Sequence, residues 1–217
     1  MALAIFDLDH TLINGDSNQA WGALLCEQGA VDATRHQSDS KRFYQEYVDG
    51  VLDIDKFLEF ALAPLKDNDM TLLLKWREQF MREKIQPCML DKAQACIAEH
   101  RKRGDFILII TASNNFVVEP IVTALKVDDT LSTTTEIVNG KFTGSILGVP
   151  CFQNGKITKL EQWLEQNDHS LKGSYFYSDS YNDLPLLEKV TYPIVVDADE
   201  KLSALAKQRN WQQISFR

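Results

Sequence analysis

Met1-Ala2-Leu3-Ala4-Ile5-Phe6-Asp7-Leu8-Asp9-His10-Thr11-Leu12 is the stretch that decides how the rest of the chain is read. An apolar run flows into two aspartates one residue apart and then a threonine. A short run of Leu, Ile and Phe reads as a buried strand. Carboxylates at the carboxyl end of such a strand sit where an open α/β sheet places its ligands. Residues i and i+2 of a strand share a face, so Asp7 and Asp9 converge. Two like charges in one small site are costly unless a cation or a shared proton compensates them. Chemistry on a metal-bound oxyanion is a reason to accept that cost; capping of a turn is the plainer alternative.

Working outward, the pattern is helical for a long stretch. Asp16 or Ser17 can cap a helix carrying Ala20, Trp21, Leu24 and Leu25, stopped near Gly29. Phe43, Tyr44, Tyr47 and Val48 repeat the spacing before Gly50, and Ile54, Phe57, Leu58, Ala61 and Leu62 do so before Pro64. Leu72, Leu73, Trp76, Phe80 and Met81 form a fourth face closed by Pro87. These stripes read as helix-packing faces, and residues 15–86 as a helical insertion. Beyond them a helix from Asp91 to Arg103 leads into the strand Phe106 to Ile110, the alternation of a parallel sheet. A helix from Asn115 to Leu125, a hairpin around Asn139-Gly140, and a helix from Lys156 to Glu165 follow. The strand Tyr175 to Tyr177, a short helix from Asp183 to Glu188 and the strand Tyr192 to Val196 complete the series.

The 217 residues suit one domain or one core with an insertion, and 44% apolar content is enough for a real core. A net charge of −8 argues against a nucleic-acid surface or an anionic membrane as partner. No apolar stretch approaches the ~20 residues of a membrane span. The first apolar run is short and lacks the basic flank of a secretory signal. Cys26, Cys88, Cys96 and Cys151 are scattered without metal-site spacing, which fits reduced thiols in a cytoplasm.

Three further segments fall at strand or helix boundaries. Phe106 to Ile110 ends in Thr111-Ala112-Ser113, where free N–H groups of the next helix meet two hydroxyls; Ser113 is also a candidate cap for that helix. Lys156 opens a helix after Asn154-Gly155, with Lys159 a nearby competitor expected to lie outward. Ser178-Asp179-Ser180-Tyr181-Asn182-Asp183 joins a strand to a short helix that Asp183 could cap.

In this order the segments resemble the four motifs of the haloacid dehalogenase superfamily, over residues 1–14 and 87–217. Asp7-Leu8-Asp9-His10-Thr11 matches its DxDxT, Thr111 its hydroxyl residue, Lys156 its lysine, and Asp179 to Asp183 its DxxxD. The resemblance implies an α/β fold, a Rossmann-like doubly wound, mostly parallel sheet, with a helical C1-type cap (residues 15–86) inserted after the first strand. It implies two-step phosphoryl transfer. Asp7 is the nucleophile and becomes an aspartyl-phosphate. Asp9 is the acid for the leaving oxygen and then the base for water. Thr111 and Lys156 stabilise the transferring oxygens. Mg²⁺ prefers octahedral oxygen ligands and retains waters. Asp7, the backbone carbonyl of Asp9 and Asp179 are its expected ligands, with Asp183 acting through water or Lys156.

The helical cap and the Asp-Ser-x-Asn-Asp pattern most resemble subfamily IB, the branch of the phosphoserine phosphatases. Asp16 falls at the position that holds the substrate amino group in that branch, with Ser113 and Asn182 as further substrate-side residues. Ala61 falls where the branch places an arginine for the serine carboxylate, with Arg42 and Arg77 as possible substitutes. The expected activity is a Mg²⁺-dependent phosphatase for a small phosphorylated metabolite, the chain being a monomer or homodimer. Histidinol phosphate, an amine without a carboxylate, is an alternative to phosphoserine. A phosphotransferase or phosphomutase would use the same core, and a non-catalytic phosphate sensor would be expected to have lost one of the carboxylates or the lysine.

Overall fold

The computed structural model describes residues 2–217. Strand β1 (Leu3–Phe6) is buried at all four positions and lies at the centre of a seven-stranded sheet. Its neighbours are β2 (Phe106–Asn114) and β5 (Tyr175–Ser178), both parallel to it. Beyond β2 come β3 (Asp129–Val138) and the antiparallel edge strand β4 (Lys141–Leu147); beyond β5 come β6 (Tyr192–Val196) and β7 (Gln212–Ile214). The order β4-β3-β2-β1-β5-β6-β7 makes the chain leave β1 toward one edge and return to the other. The carboxyl end of β1 is therefore a topological switch point, where connecting loops diverge and leave a crevice.

The period of two along β1 separates two cores. Ala4 and Phe6 face one side, where α5 (Asp91–Lys102) and α6 (Asn115–Leu125) pack; Leu3 and Ile5 face α7 (Asn154–Gln166), the short α8 (Leu184–Leu187) and α9 (Glu200–Arg209). Between β1 and α5 the chain forms α1 (Ser17–Glu27), α2 (Ala33–Asp49), α3 (Ile54–Lys66) and α4 (Met70–Phe80). Of these, α1, α3 and α4 share the Ala4/Phe6 core through Trp21, Leu24, Leu62, Leu73, Trp76 and Phe80. The segments entering and leaving them run antiparallel, with Ile13 bridged to Met89 and Asn14 N–H donating to Cys88 O at 2.8 Å. No helix of the described residues is long and apolar enough to cross a membrane.

Several elements depart from the sequence expectation. Helix α3 runs through Pro64 to Lys66; the proline removes one N–H from the last turn, and the helix continues only two residues beyond it. Helix α4 continues past Phe80 as a wide π turn (Met81–Ile85) and a 3-10 turn before Pro87 has its effect. On α2 only Phe43 is buried, while Tyr44 and Val48 stay exposed, because one neighbouring face and not two packs against it. Strand β2 extends four residues beyond Ile110, across a register shift against β3. Its extension puts Asn114, not Ser113, at the cap of α6, where the Asn114 side chain accepts from Val117 N–H.

Candidate active site

At the end of β1, Asp7 N–H continues the ladder to Tyr177 O at 2.9 Å, which fixes its side chain over the switch point. The residue is 6% exposed. Lys156 Nζ donates to its Oδ1 at 2.8 Å. The lysine reaches this place through a tight first turn of α7: a Cβ at Gly155 would fall 1.9 Å from the Pro150 carbonyl oxygen, so only glycine allows it. Lys156 also pairs with Asp183, at 2.7 Å to Oδ1, and Ser178 Oγ donates to Asp183 Oδ2 at 2.7 Å. The Asp183 carboxylate makes no cap bond to α8, so a purely capping role is set aside. Burial alone would depress the Lys156 ammonium, but Asp183 and Asp7 outweigh it and hold its pKa well above the usual value. Lys159 lies apart, 3.5 Å from Thr134 Oγ1.

Burial pushes Asp7 up to about 7 despite Lys156, with Asp183 and Asp9 adding to the rise. Asp179 is likewise raised well above the carboxylate range, first by burial and then by Asp7 and Asp183; Thr11 Oγ1 donates to it at 3.1 Å. Asp9 is held on both oxygens. Ser17 N–H, at the positive end of α1, donates to Oδ1 at 2.6 Å, and Ser113 Oγ donates to Oδ2 at 2.8 Å. Ser113 is itself enclosed, its hydroxyl 2.7 Å from Asn18 Nδ2 and 2.9 Å from Ser17 Oγ. Its neighbour Thr111 is fully buried and lines the same cavity.

Asp16 caps α1, accepting from Gln19 N–H at 2.9 Å, and burial together with Asp9 pushes it up to about 7. Asn182 faces the helices: Gln153 Nε2 donates to its Oδ1 at 2.9 Å, and its Nδ2 donates to Tyr47 O at 3.0 Å. Tyr47 closes this seam, donating through its hydroxyl to Ser180 Oγ at 2.8 Å. Asn18 and Gln153 carry no local signal in the sequence; Ser17 reads there only as a helix cap, Tyr47 only as part of a packing face, and Ser178 only as the neighbour of Asp179. Arg42 pairs with Glu46 and Asp39 on the exposed side of α2, and Arg77 pairs with Glu119. Neither lines the cavity.

That cavity, about 500 Å³, runs from Asp7, Asp9, Thr111, Lys156 and Asp179 into the space between α1, α2 and α3. Among the described residues, no group of three or more His, Cys, Asp or Glu is assembled as a metal cage. The donor chemistry still fits Mg²⁺, which needs one or two carboxylates and keeps its waters. Asp7 and Asp179 are hard oxygen donors, both buried and both raised first by burial and then by neighbouring carboxylates, a setting that a cation would relieve.

The haloacid dehalogenase-like hydrolase family model matches residues 4–188. The chain belongs to this family. It is 39% identical to a histidinol-phosphatase of Neisseria meningitidis, over 99% of each chain. A protein of unknown function from Bordetella pertussis has the same fold at a TM-score of 0.93, with 38% identity, covering 100% of this chain and 99% of that one. A substrate-bound phosphoserine phosphatase superposes at 0.71, with 21% identity, over 94% of this chain and 89% of its own; that likeness concerns the fold. The family assignment makes the chain an enzyme of the phosphoric monoester hydrolase type, and the family generally uses Mg²⁺.

Proposed function

We propose that the enzyme is a Mg²⁺-dependent phosphatase working through an aspartyl-phosphate on Asp7, and that its leaving group is cationic and lacks a carboxylate, as in histidinol phosphate. One observation carries the choice of leaving group: the cavity is lined by seven aspartates against Lys156 and Lys201, with no arginine. A carboxylate there would meet repulsion without a guanidinium to offset it. Ala61 contributes only a methyl group to the wall where a carboxylate-binding arginine was sought. Asp16 supplies an anion for an amine beside Asp9. The Neisseria histidinol-phosphatase supports the same reading.

In the first step Asp7 attacks phosphorus in line with the ester oxygen. Lys156 holds Oδ1 of the nucleophile, which leaves Oδ2 to attack. Asp9, oriented by Ser17 and Ser113, gives a proton to the departing alcohol and later takes one from water. Thr111 and Lys156 bear the developing charge on the phosphoryl oxygens. Asp7, the Asp9 carbonyl and Asp179 would hold Mg²⁺, which when bound neutralises phosphoryl oxygens, and Asp183 acts through Lys156. Residues 15–86 act as a cap on a core of 1–14 and 87–217, pivoting where Ile13 meets Met89.

Phosphate release from histidinol phosphate, O-phosphoserine and simple alkyl phosphates, with and without Mg²⁺, tests this reading. Turnover is expected only with Mg²⁺ and to be highest for histidinol phosphate. Asp7→Asn is expected to lower it by on the order of 10⁴-fold or more. O-phosphoserine as the best substrate would overturn the choice of leaving group, and persistent turnover in Asp7→Asn would overturn the covalent route.

A further inference from the structure

Beyond the carboxylates the cavity continues between α1, α2 and α3 into an aromatic chamber that the phosphoryl chemistry does not use. Its walls are Trp21 and Leu25 of α1, His36 and Phe43 of α2, and Phe57 and Phe60 of α3. The rings are ordered against one another. His36 stacks on Phe60 with centroids 4.6 Å apart and planes 26° apart, and Phe43 meets Phe60 at 5.2 Å and Phe57 edge-on at 5.6 Å. The imidazole is seated against Gly22: a Cβ there would fall 2.4 Å from His36 Nε2, so α1 makes room for this ring by having no side chain.

A cavity of about 500 Å³ far exceeds what a phosphoryl group and a three-carbon chain fill. Helical hairpins with this many rings would ordinarily close on themselves. Here Phe57, Phe60 and Ala61 are only partly buried, and His36 likewise. No arginine of the described residues lines the cavity; Arg42 lies over the face of Phe43 and is held outward by Glu46 and Asp39. The chamber therefore offers ring faces and edges, and the charges of the cavity, its aspartates with Lys156 and Lys201, lie outside that ring cluster. Stacked and edge-to-face geometry is what a planar ring selects, and electron-rich faces tolerate a positive one.

We infer that this chamber is a leaving-group subsite for a planar aromatic or heteroaromatic ring, neutral or cationic, with the His36–Phe60 pair as its platform. The inference rests on the phosphatase reading above and deepens it: the substrate is a phosphate monoester of an alcohol that carries such a ring on a short chain. The phosphoryl group sits at Asp7, and the ring lies among α1, α2 and α3.

The test compares 3-phenylpropyl phosphate with propyl phosphate, two esters that differ by the ring alone. In the native enzyme kcat/KM is expected to favour the ring ester by about 100-fold. Ala61→Phe, which fills the chamber, and Phe60→Leu, which keeps an apolar side chain but removes the platform, are each expected to cut that ratio at least tenfold. Circular dichroism and thermal melts verify that each variant is folded, and either variant alone suffices for the ratio. A native ratio near one, or a ratio unchanged in both variants, would overturn the subsite while leaving the phosphatase reading intact. If neither ester is hydrolysed, the phosphatase reading fails, and calorimetric binding of the two esters to Asp7→Asn decides the subsite separately. Tighter binding of the ring ester supports it, and equal binding overturns it.

Discussion

At the sheet end of the cavity every carboxylate is gripped by named donors: Asp9 by Ser17 and Ser113, Asp183 by Lys156 and Ser178, Asp179 by Thr11. At the helical end Trp21, His36, Phe43, Phe57 and Phe60 meet through ring faces and edges, with no ion pair among them. The first region is positioned by directional bonds in a buried setting, where displacement of one partner leaves charge uncompensated. The second is positioned by helix packing and tolerates change in what it encloses. Chemistry that is constant belongs on the first kind of support, and selection of a leaving group on the second.

The contrast breaks most severely at Lys156. Lys156→Met leaves Asp7 and Asp183 facing each other without their cation. The expectation is a fall in kcat/KM of about 10²–10³-fold and a loss of stability of roughly 3–5 kcal/mol, read by denaturant titration. A fall below tenfold would mean that the ammonium is not part of the machinery. Ser113→Ala should act chiefly through Asp9, lowering kcat by about 10–100-fold with KM nearly constant. Because the bond orients an acid and base, the pH–kcat profile is expected to shift as well. A loss of stability with an unmoved profile would make Ser113 structural.

Next in size is a pH effect on the metal-free protein. Asp7 and Asp16 are pushed up to about 7, above the ordinary value of 3.8, so between those limits the folded state binds more protons than the unfolded one. Stability from these two groups is therefore greatest at low pH and falls as pH rises toward 7. Other things equal, the melting temperature should drop by roughly 5–10 °C between pH 5 and pH 8 without Mg²⁺, and saturating Mg²⁺ should reduce that drop. An equal drop with and without Mg²⁺ would argue against Asp7 as a ligand. The smallest effect is expected at the seam. Tyr47→Phe removes the bond to Ser180 and should change kcat/KM by only about threefold, since such a bond is worth about 1 kcal/mol net.

Much of the sheet end was legible because its signals are local. An apolar run fixes β1 as buried, and the i, i+2 rule then places Asp7 and Asp9 together. Lys156 and Thr111 were found because each sits at a boundary that Gly155 or a strand end marks. Ser113 was read as a substrate-side residue and also as a candidate cap; the extension of β2, which periodicity does not show, moves the cap one residue to Asn114. Asn182 was read as a substrate-side residue; it lines the cavity, and its hydrogen bonds run to Gln153 and the Tyr47 carbonyl. That clasp joins positions far apart in the chain, and no spacing announces it.

The sequence by itself determined the family, through four motifs in order, and placed the Asp7/Asp9 pair at a sheet end, since strand polarity and the i, i+2 rule act whatever surrounds it. It also determined the alternation of buried strands and helices that makes the sheet parallel. Only the tertiary structure decided what surrounds that pair. The aromatic chamber arises where three helices dock, and the exclusion of Arg42 and Arg77 from it follows from which helix faces turn inward. Those faces are set by the packing of α1, α2 and α3 on one another and on the sheet, a sum of many weak contacts that no single stretch of residues encodes.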